Sequence, residues 1–92
     1  MPDVIVIGAG VVGAAAAYAA ARAGARVVVI DANLPGAASR AGAGIVAPVA
    51  ISPASEQWYD LAFPAVRHYA TLTQQLIEDG VPDTGHCRVG AL

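Results

Sequence analysis

Hydrophobic positions fall into runs of different character along this chain, and each run predicts a different element. Val4-Ile-Val-Ile7 sets four β-branched residues in succession, as in a parallel strand covered on both faces. Gly8, Gly10 and Gly13 follow at once and force a reversal into an alanine-rich helix from Ala14 to Ala23. Gly24 is a natural helix stop, and Arg26-Val-Val-Val-Ile30 reads as a second strand ending on Asp31. The pattern then changes. Pro35, Gly36, Gly42 and Gly44 make a long regular helix costly between Asn33 and Gly44, and the residues among them are too small to fill a core. Ile45-Val-Ala-Pro48 is apolar again and is expected to return beneath something and be buried. Ser52-Pro53 offers an N-cap with proline at the first helical position, opening a largely helical stretch that runs to Asp79 and stops at Gly80. Pro64 either kinks that stretch at Phe63 or divides it in two. Val66, Tyr69, Ala70, Thr73, Leu76 and Ile77 share one helical face, the expected core face. Arg88-Val-Gly-Ala-Leu92 reads as the opening of another strand.

The strand, the three glycines and the helix together form a seat for a dinucleotide diphosphate. Gly8 allows the tight turn, Gly10 lets the backbone approach the phosphates without a Cβ in the way, and Gly13 lets the helix pack closely. Unpaired amides and the positive end of the helix dipole then face the anion, so no lysine is needed. A glycine string alone is weak support in a chain this rich in alanine and glycine, but its surroundings match. Asp31 ends the second strand, where an acid accepts hydrogen bonds from the adenosine ribose. The bland alternative is that Asp31 merely caps a turn. A 2′-phosphate on the ribose would want an arginine nearby, and Ala32, Asn33 and Leu34 follow instead, which disfavours NADP.

An ordinary NAD dehydrogenase would enter a second crossover helix after Asp31, whereas this chain has a loop of alanine and glycine. Such a loop lets backbone amides press against phosphates and a flat ring, with Ser39 adding a hydroxyl and Arg40 a positive charge. A flexible surface linker is the alternative. Trp58, Tyr59, His68 and His86 have no catalytic partner at a telling spacing and are assigned to core or surface. No metal-ligand spacing and no nucleophile elbow occur, so no metal is expected and no catalytic residue is named.

Ninety-two residues allow at most one small domain, yet 57% hydrophobic and only 13% charged residues describe a chain built to be mostly buried. That conflict, and the count of only two parallel strands, point to a truncated N-terminal segment of something larger. A net charge of −2 without a basic patch argues against nucleic acid or an anionic membrane surface as partner. Cys87 has no second cysteine to pair with, which is compatible with a reducing compartment. Val4 to Ala21 carries no charge, but its glycines, its alanine content and Asp3 before it speak against a membrane span or a signal peptide. The expected location is cytoplasmic, with peripheral association at the inner membrane face left open.

Val-Ile-Val-Ile-Gly-Ala-Gly-Val-Val-Gly, then Val-Ile-Asp, then Ala-Ser-Arg-Ala-Gly-Ala-Gly-Ile resembles the start of the FAD-dependent amine oxidoreductases, the family of D-amino acid oxidase and dehydrogenase, glycine oxidase and sarcosine oxidase. The first motif is common to many dinucleotide proteins, and the second narrows the choice to flavoproteins. The fold class implied is α/β: the N-terminal part of a Rossmann-like FAD-binding domain, with a βαβ unit, a small-residue loop, a long helix and an incomplete parallel sheet. Residues 1–92 would be that partial domain, and the substrate-binding domain would lie outside this chain. The resemblance implies FAD as cofactor, bound through Gly8, Ala9, Gly10, Val11, Val12 and Gly13 at the diphosphate and through Asp31 and Ala32 at the ribose. Ala38 and Ser39 would reach the phosphate region, Arg40 would stand for the basic residue that relatives carry in this loop, and Ala43, Gly44 and Ile45 would run beneath the isoalloxazine. Many relatives have glutamate where this chain has Asp31, and either acid can bind a ribose. The implied chemistry is hydride transfer to flavin from the carbon beside a substrate amine, with a small-molecule amine or amino acid as substrate of the full-length parent. An NAD-dependent Rossmann dehydrogenase segment and a catalytically inactive nucleotide-binding fragment are the alternatives.

Overall fold

Strands β1 (Val4–Ile7) and β2 (Val27–Ile30) pair in parallel, Val4 opposite Val27 through Ile7 opposite Ile30, and helix α1 (Val11–Arg22) crosses between them. The computed structural model describes residues 1–50 and 54–89. It divides into two units, residues 1–44 and the residues from 45 onward.

In the first unit, successive strand residues point to opposite faces of the sheet. Val4 and Val6 are half-buried while Ile5 and Ile7 are exposed. The Val6 side chain lies toward Gly13 of α1, which identifies the covered face. The expectation of a strand covered on both sides therefore holds for one side within this unit, where no other element lies over Ile5 and Ile7. Ala17, in the middle of α1, is the one buried residue among those described. Helix α1 begins at Val11, three residues ahead of the expected Ala14, since Gly10 adopts the extended N-cap conformation without a capping side chain. Its end matches expectation. Gly24 takes φ +92°, its amide donates to the Ala21 carbonyl at 3.0 Å, and the Ala25 amide donates to Ala20 at 3.1 Å. That bonding satisfies the last carbonyls of the helix and needs a residue free to adopt left-handed backbone.

At the strand ends away from the glycines, Arg26 meets Asp3. The Arg26 amide and Nε donate to Asp3 Oδ2 at 2.8 and 3.0 Å, and Nη2 donates to Oδ1 at 2.9 Å. The guanidinium holds the Asp3 carboxyl below the usual carboxylate range, and Asp3 raises the Arg26 pKa in turn. With Arg26 engaged this way, β2 starts at Val27. The unit closes with a short helix, α2 (Ala38–Ala41), between the Gly36 turn and Gly42.

The second unit contains a 3₁₀ turn at Pro48–Ala50 and helix α3 (Glu56–Glu78). Ser55 caps α3, its hydroxyl accepting from the Trp58 amide at 3.2 Å. The expected cap at Ser52-Pro53 lies outside the described residues. Pro64 is accommodated inside one continuous helix, so the stretch is not divided. Gly80 ends it as expected, donating to Ile77 at 3.1 Å, with Val81 donating to Leu76 at 2.9 Å. On the expected core face, Val66, Tyr69, Thr73 and Leu76 are half-buried, whereas Ala70 and Ile77 are exposed. This single helix has too few apolar neighbours among the described residues to bury that face. Burial of the Ile45–Pro48 run is likewise corrected: Ile45 is 80% exposed and only Ala47 and Pro48 are half-buried. Trp58 and Tyr59 are half-buried in an aromatic group with Phe63, and His68 and His86 are exposed. Arg88 and Val89 carry no strand, and the rest of the expected strand opening lies outside the described residues.

Candidate dinucleotide site

The glycine turn is built by exclusion. Gly8 sits at φ +103°, a backbone that side-chain-bearing residues rarely adopt. Its amide still extends the sheet, donating to the Ile30 carbonyl at 2.7 Å. A Cβ at position 13 would fall 1.9 Å from the Gly8 carbonyl oxygen and 3.4 Å from Val6 Cγ1. Only glycine lets the first turn of α1 lie against the end of β1. At position 10 a Cβ would meet the Ser39 hydroxyl at 3.2 Å, so the close approach there is to the loop.

Side chains from after β2 close onto this turn. The Ala9 amide donates to Asp31 Oδ2 at 2.7 Å, and the Val11 amide donates to Ser39 Oγ at 2.8 Å. Asp31 Oδ1 accepts from the Asn33 amide, also at 2.7 Å. These bonds from Ala9 and Asn33, with Arg40 nearby, hold the Asp31 carboxyl below the usual carboxylate range. Arg40 Nη2 donates to Asn33 Oδ1. The argument against a 2′-phosphate rested on the residues directly after Asp31, and α2 brings Arg40 back to Asn33, two residues past the acid.

The structure thus gathers Gly8, Ala9, Gly10, Val11, Gly13, Asp31 and Ser39, with Arg40 joined through Asn33. Val12 lies in the first turn of α1, Ala32 follows Asp31, and Ala38 begins α2. Ala43 and Gly44 follow α2, Gly44 at φ +71°, and Ile45 opens the second unit. Asn33 was not identified from sequence. The available signal was an asparagine two residues after an aspartate, a spacing at which a carboxylate can accept the second residue's amide.

A family model described as DAO, FAD dependent oxidoreductase, matches residues 3–92. This chain belongs to that family. A relative from Bacillus subtilis (strain 168), the uncharacterized oxidoreductase YurR, is 48% identical over 92 residues, which is 100% of this chain and 25% of that protein. The chain therefore spans about a quarter of the length of the curated relative it matches. No solved structure matches. The DAO family is FAD-dependent, which sets the NAD alternative aside.

The residues present fit FAD. The first amides of a helix have no preceding turn to bond, and here the Val11 amide is met by a hydroxyl oxygen, the kind of acceptor a phosphate also supplies. A carboxylate has about four lone-pair positions, and Asp31 uses two on backbone amides, leaving acceptors for ribose hydroxyls. Gly8, Gly10 and Gly13 would hold the diphosphate end and Asp31 the ribose. Among the described residues no group of three His, Cys, Asp or Glu side chains is placed to hold a metal, and no helix is long and apolar enough to cross a membrane.

Proposed function

We propose that this chain is the FAD-binding segment of an oxidoreductase that oxidises amines or amino acids, of D-amino acid or glycine type, with a substrate-binding domain supplied by further sequence. The observation that carries the reading is the closure of Asp31 and Ser39 onto the amides of the glycine turn. In this reading the turn from Gly8 to Gly13 holds the diphosphate, Gly8 by its backbone turn and the residues after it through amides, and Asp31 with Ala32 holds the ribose. Ala38, Ser39 and Arg40 serve the phosphate region, and Ala43, Gly44 and Ile45 lie along the flavin ring. The preference for amines rests on the likeness of Ala38–Ile45 to amine-oxidising flavoenzymes. Bound here, FAD would supply the hydride acceptor for oxidation of the carbon beside the substrate amine, and the imine product would be hydrolysed by water to a carbonyl compound and ammonia. The chain's own residues bind and orient. Backbone amides have no proton to lose near neutral pH, so their grip on a diphosphate does not depend on pH there, and the carboxylate of Asp31 fixes the adenosine end. A cytoplasmic location belongs to the same proposal.

The test is anaerobic mixing of the purified full-length protein with D-amino acids, glycine or N-methylated amino acids. Bleaching of the visible flavin bands with release of ammonia or methylamine is expected. Bleaching only by nitrogen-free substrates such as 2-hydroxy acids would overturn the amine assignment. Gly13→Ala is expected to yield protein without bound flavin, because the added methyl meets backbone and costs roughly 1–3 kcal/mol of strain; retention of flavin by this variant would overturn the site itself.

A further inference from the structure

Asn33 is the one non-glycine residue with positive φ among those described, at +52°. Asparagine tolerates this backbone because its short side chain bonds locally. Here the conformation serves two contacts at once. The Asn33 amide donates to Asp31 Oδ1 at 2.7 Å, and the Asn33 side-chain carbonyl accepts from the Arg40 guanidinium. Arg40 follows Ser39, whose hydroxyl meets the Val11 amide at 2.8 Å, and Asp31 meets the Ala9 amide at 2.7 Å. The loop from Asp31 to Ser39 is therefore tied to the glycine turn at both ends, and the Asn33–Arg40 bond ties those two ends to each other. A cross-tie of this kind removes freedom that the loop would otherwise lose when a ligand binds.

We infer that Asn33 is a positioning residue for FAD, holding Arg40 across the loop so that Asp31 and Ser39 stand ready at the Ala9 and Val11 amides before the cofactor arrives. This rests on the reading that the turn takes FAD. Asn33 needs no contact with the cofactor to act.

The experiment measures FAD dissociation constants, by flavin fluorescence quenching on apoprotein prepared from the full-length holoprotein, for wild type, Asn33→Gly, Asn33→Asp, Arg40→Met and the Asn33→Gly/Arg40→Met pair. Glycine keeps the left-handed turn and its bond to Asp31 but removes the acceptor, whereas aspartate keeps an acceptor for the guanidinium. Asn33→Gly and Arg40→Met are each expected to weaken FAD binding about five- to tenfold, the loss of one exposed charge-assisted bond together with preorganisation. The double variant should be no weaker than either single one, and Asn33→Asp should stay within about twofold of wild type. Wild-type affinity in Asn33→Gly, or losses that multiply in the double variant, would overturn the inference. Should Asn33→Gly fail to fold, hydrogen exchange at the Ala9 and Val11 amides of Arg40→Met apoprotein decides. Faster exchange than wild type supports the tie, and unchanged exchange refutes it. If Gly13→Ala retains FAD, or wild type binds none, the site reading fails and takes this one with it; if those two behave as expected while Asn33→Gly binds normally, only the positioning role falls.

Discussion

The carboxylate of Asp31 owes its low pKa to two backbone amides on exposed atoms, which makes its contribution to the fold a matter of charge. The folded-state pKa lies below the unfolded value of about 3.9. The stabilisation is therefore fully present above that value and is lost as pH falls through the depressed folded pKa. The thermal stability advantage of wild type over Asp31→Asn should be constant from about pH 5 to 8 and shrink toward zero below about pH 4. Asp3 titrates in both proteins, so the difference isolates Asp31; an advantage undiminished at the acid end would show that its charge is not what matters. Residues at this scale were legible where chain spacing imposes chemistry. Gly8, Gly10, Gly13 and Asp31 could be placed because each answers a steric or hydrogen-bonding demand of one turn. Asn33 could not, since its left-handed backbone is meaningful only once Arg40 is known to fold back to it.

Helix ends were readable and helix starts were not. Gly24 and Gly80 announce themselves because a helix closing with a left-handed residue selects glycine. The starts are ambiguous for different reasons. Gly10 caps α1 with no side chain to recognise, and Ser52 and Ser55 compete as caps only three residues apart. The Ser55 cap leads to a measurable expectation. Ser55→Ala should cost about 1 kcal/mol, and Ser55→Asp should restore the loss, because either an oxygen or a negative charge suits the helix start. Urea unfolding of the full-length protein checks this through the transition midpoint at unchanged slope. An unaltered midpoint in Ser55→Ala would mean that the hydroxyl bond to Trp58 contributes nothing.

For the molecule as a whole, a strongly apolar composition is matched with almost no burial. The 57% hydrophobic content led to the expectation of a mostly buried chain, whereas Ala17 alone is buried among the described residues. Ile5, Ile7, Val28 and Ile30 form a continuous exposed sheet face, each between 44% and 86% accessible. Periodicity could not reveal which face α1 covers, because all eight strand residues are apolar. Produced alone, the 92-residue chain should bind the dye ANS and sediment as associated species, since contiguous apolar surface and strand edges favour self-association. Ile7→Thr with Ile30→Thr should raise the monomer fraction. A monomeric, dye-silent chain would refute this account of the open face.

The Asp3–Arg26 pair has an effect felt at the opposite end of the strands. Sliding β2 by a single step along β1 would carry Asp31 roughly 3.3 Å past the Ala9 amide and reverse the facing of every β2 side chain. A short two-stranded sheet of uniformly apolar residues offers little of its own to forbid such a slip. By clasping the residues that precede both strands, a surface ion pair fixes where Asp31 arrives relative to the Ala9 amide, a whole strand length away.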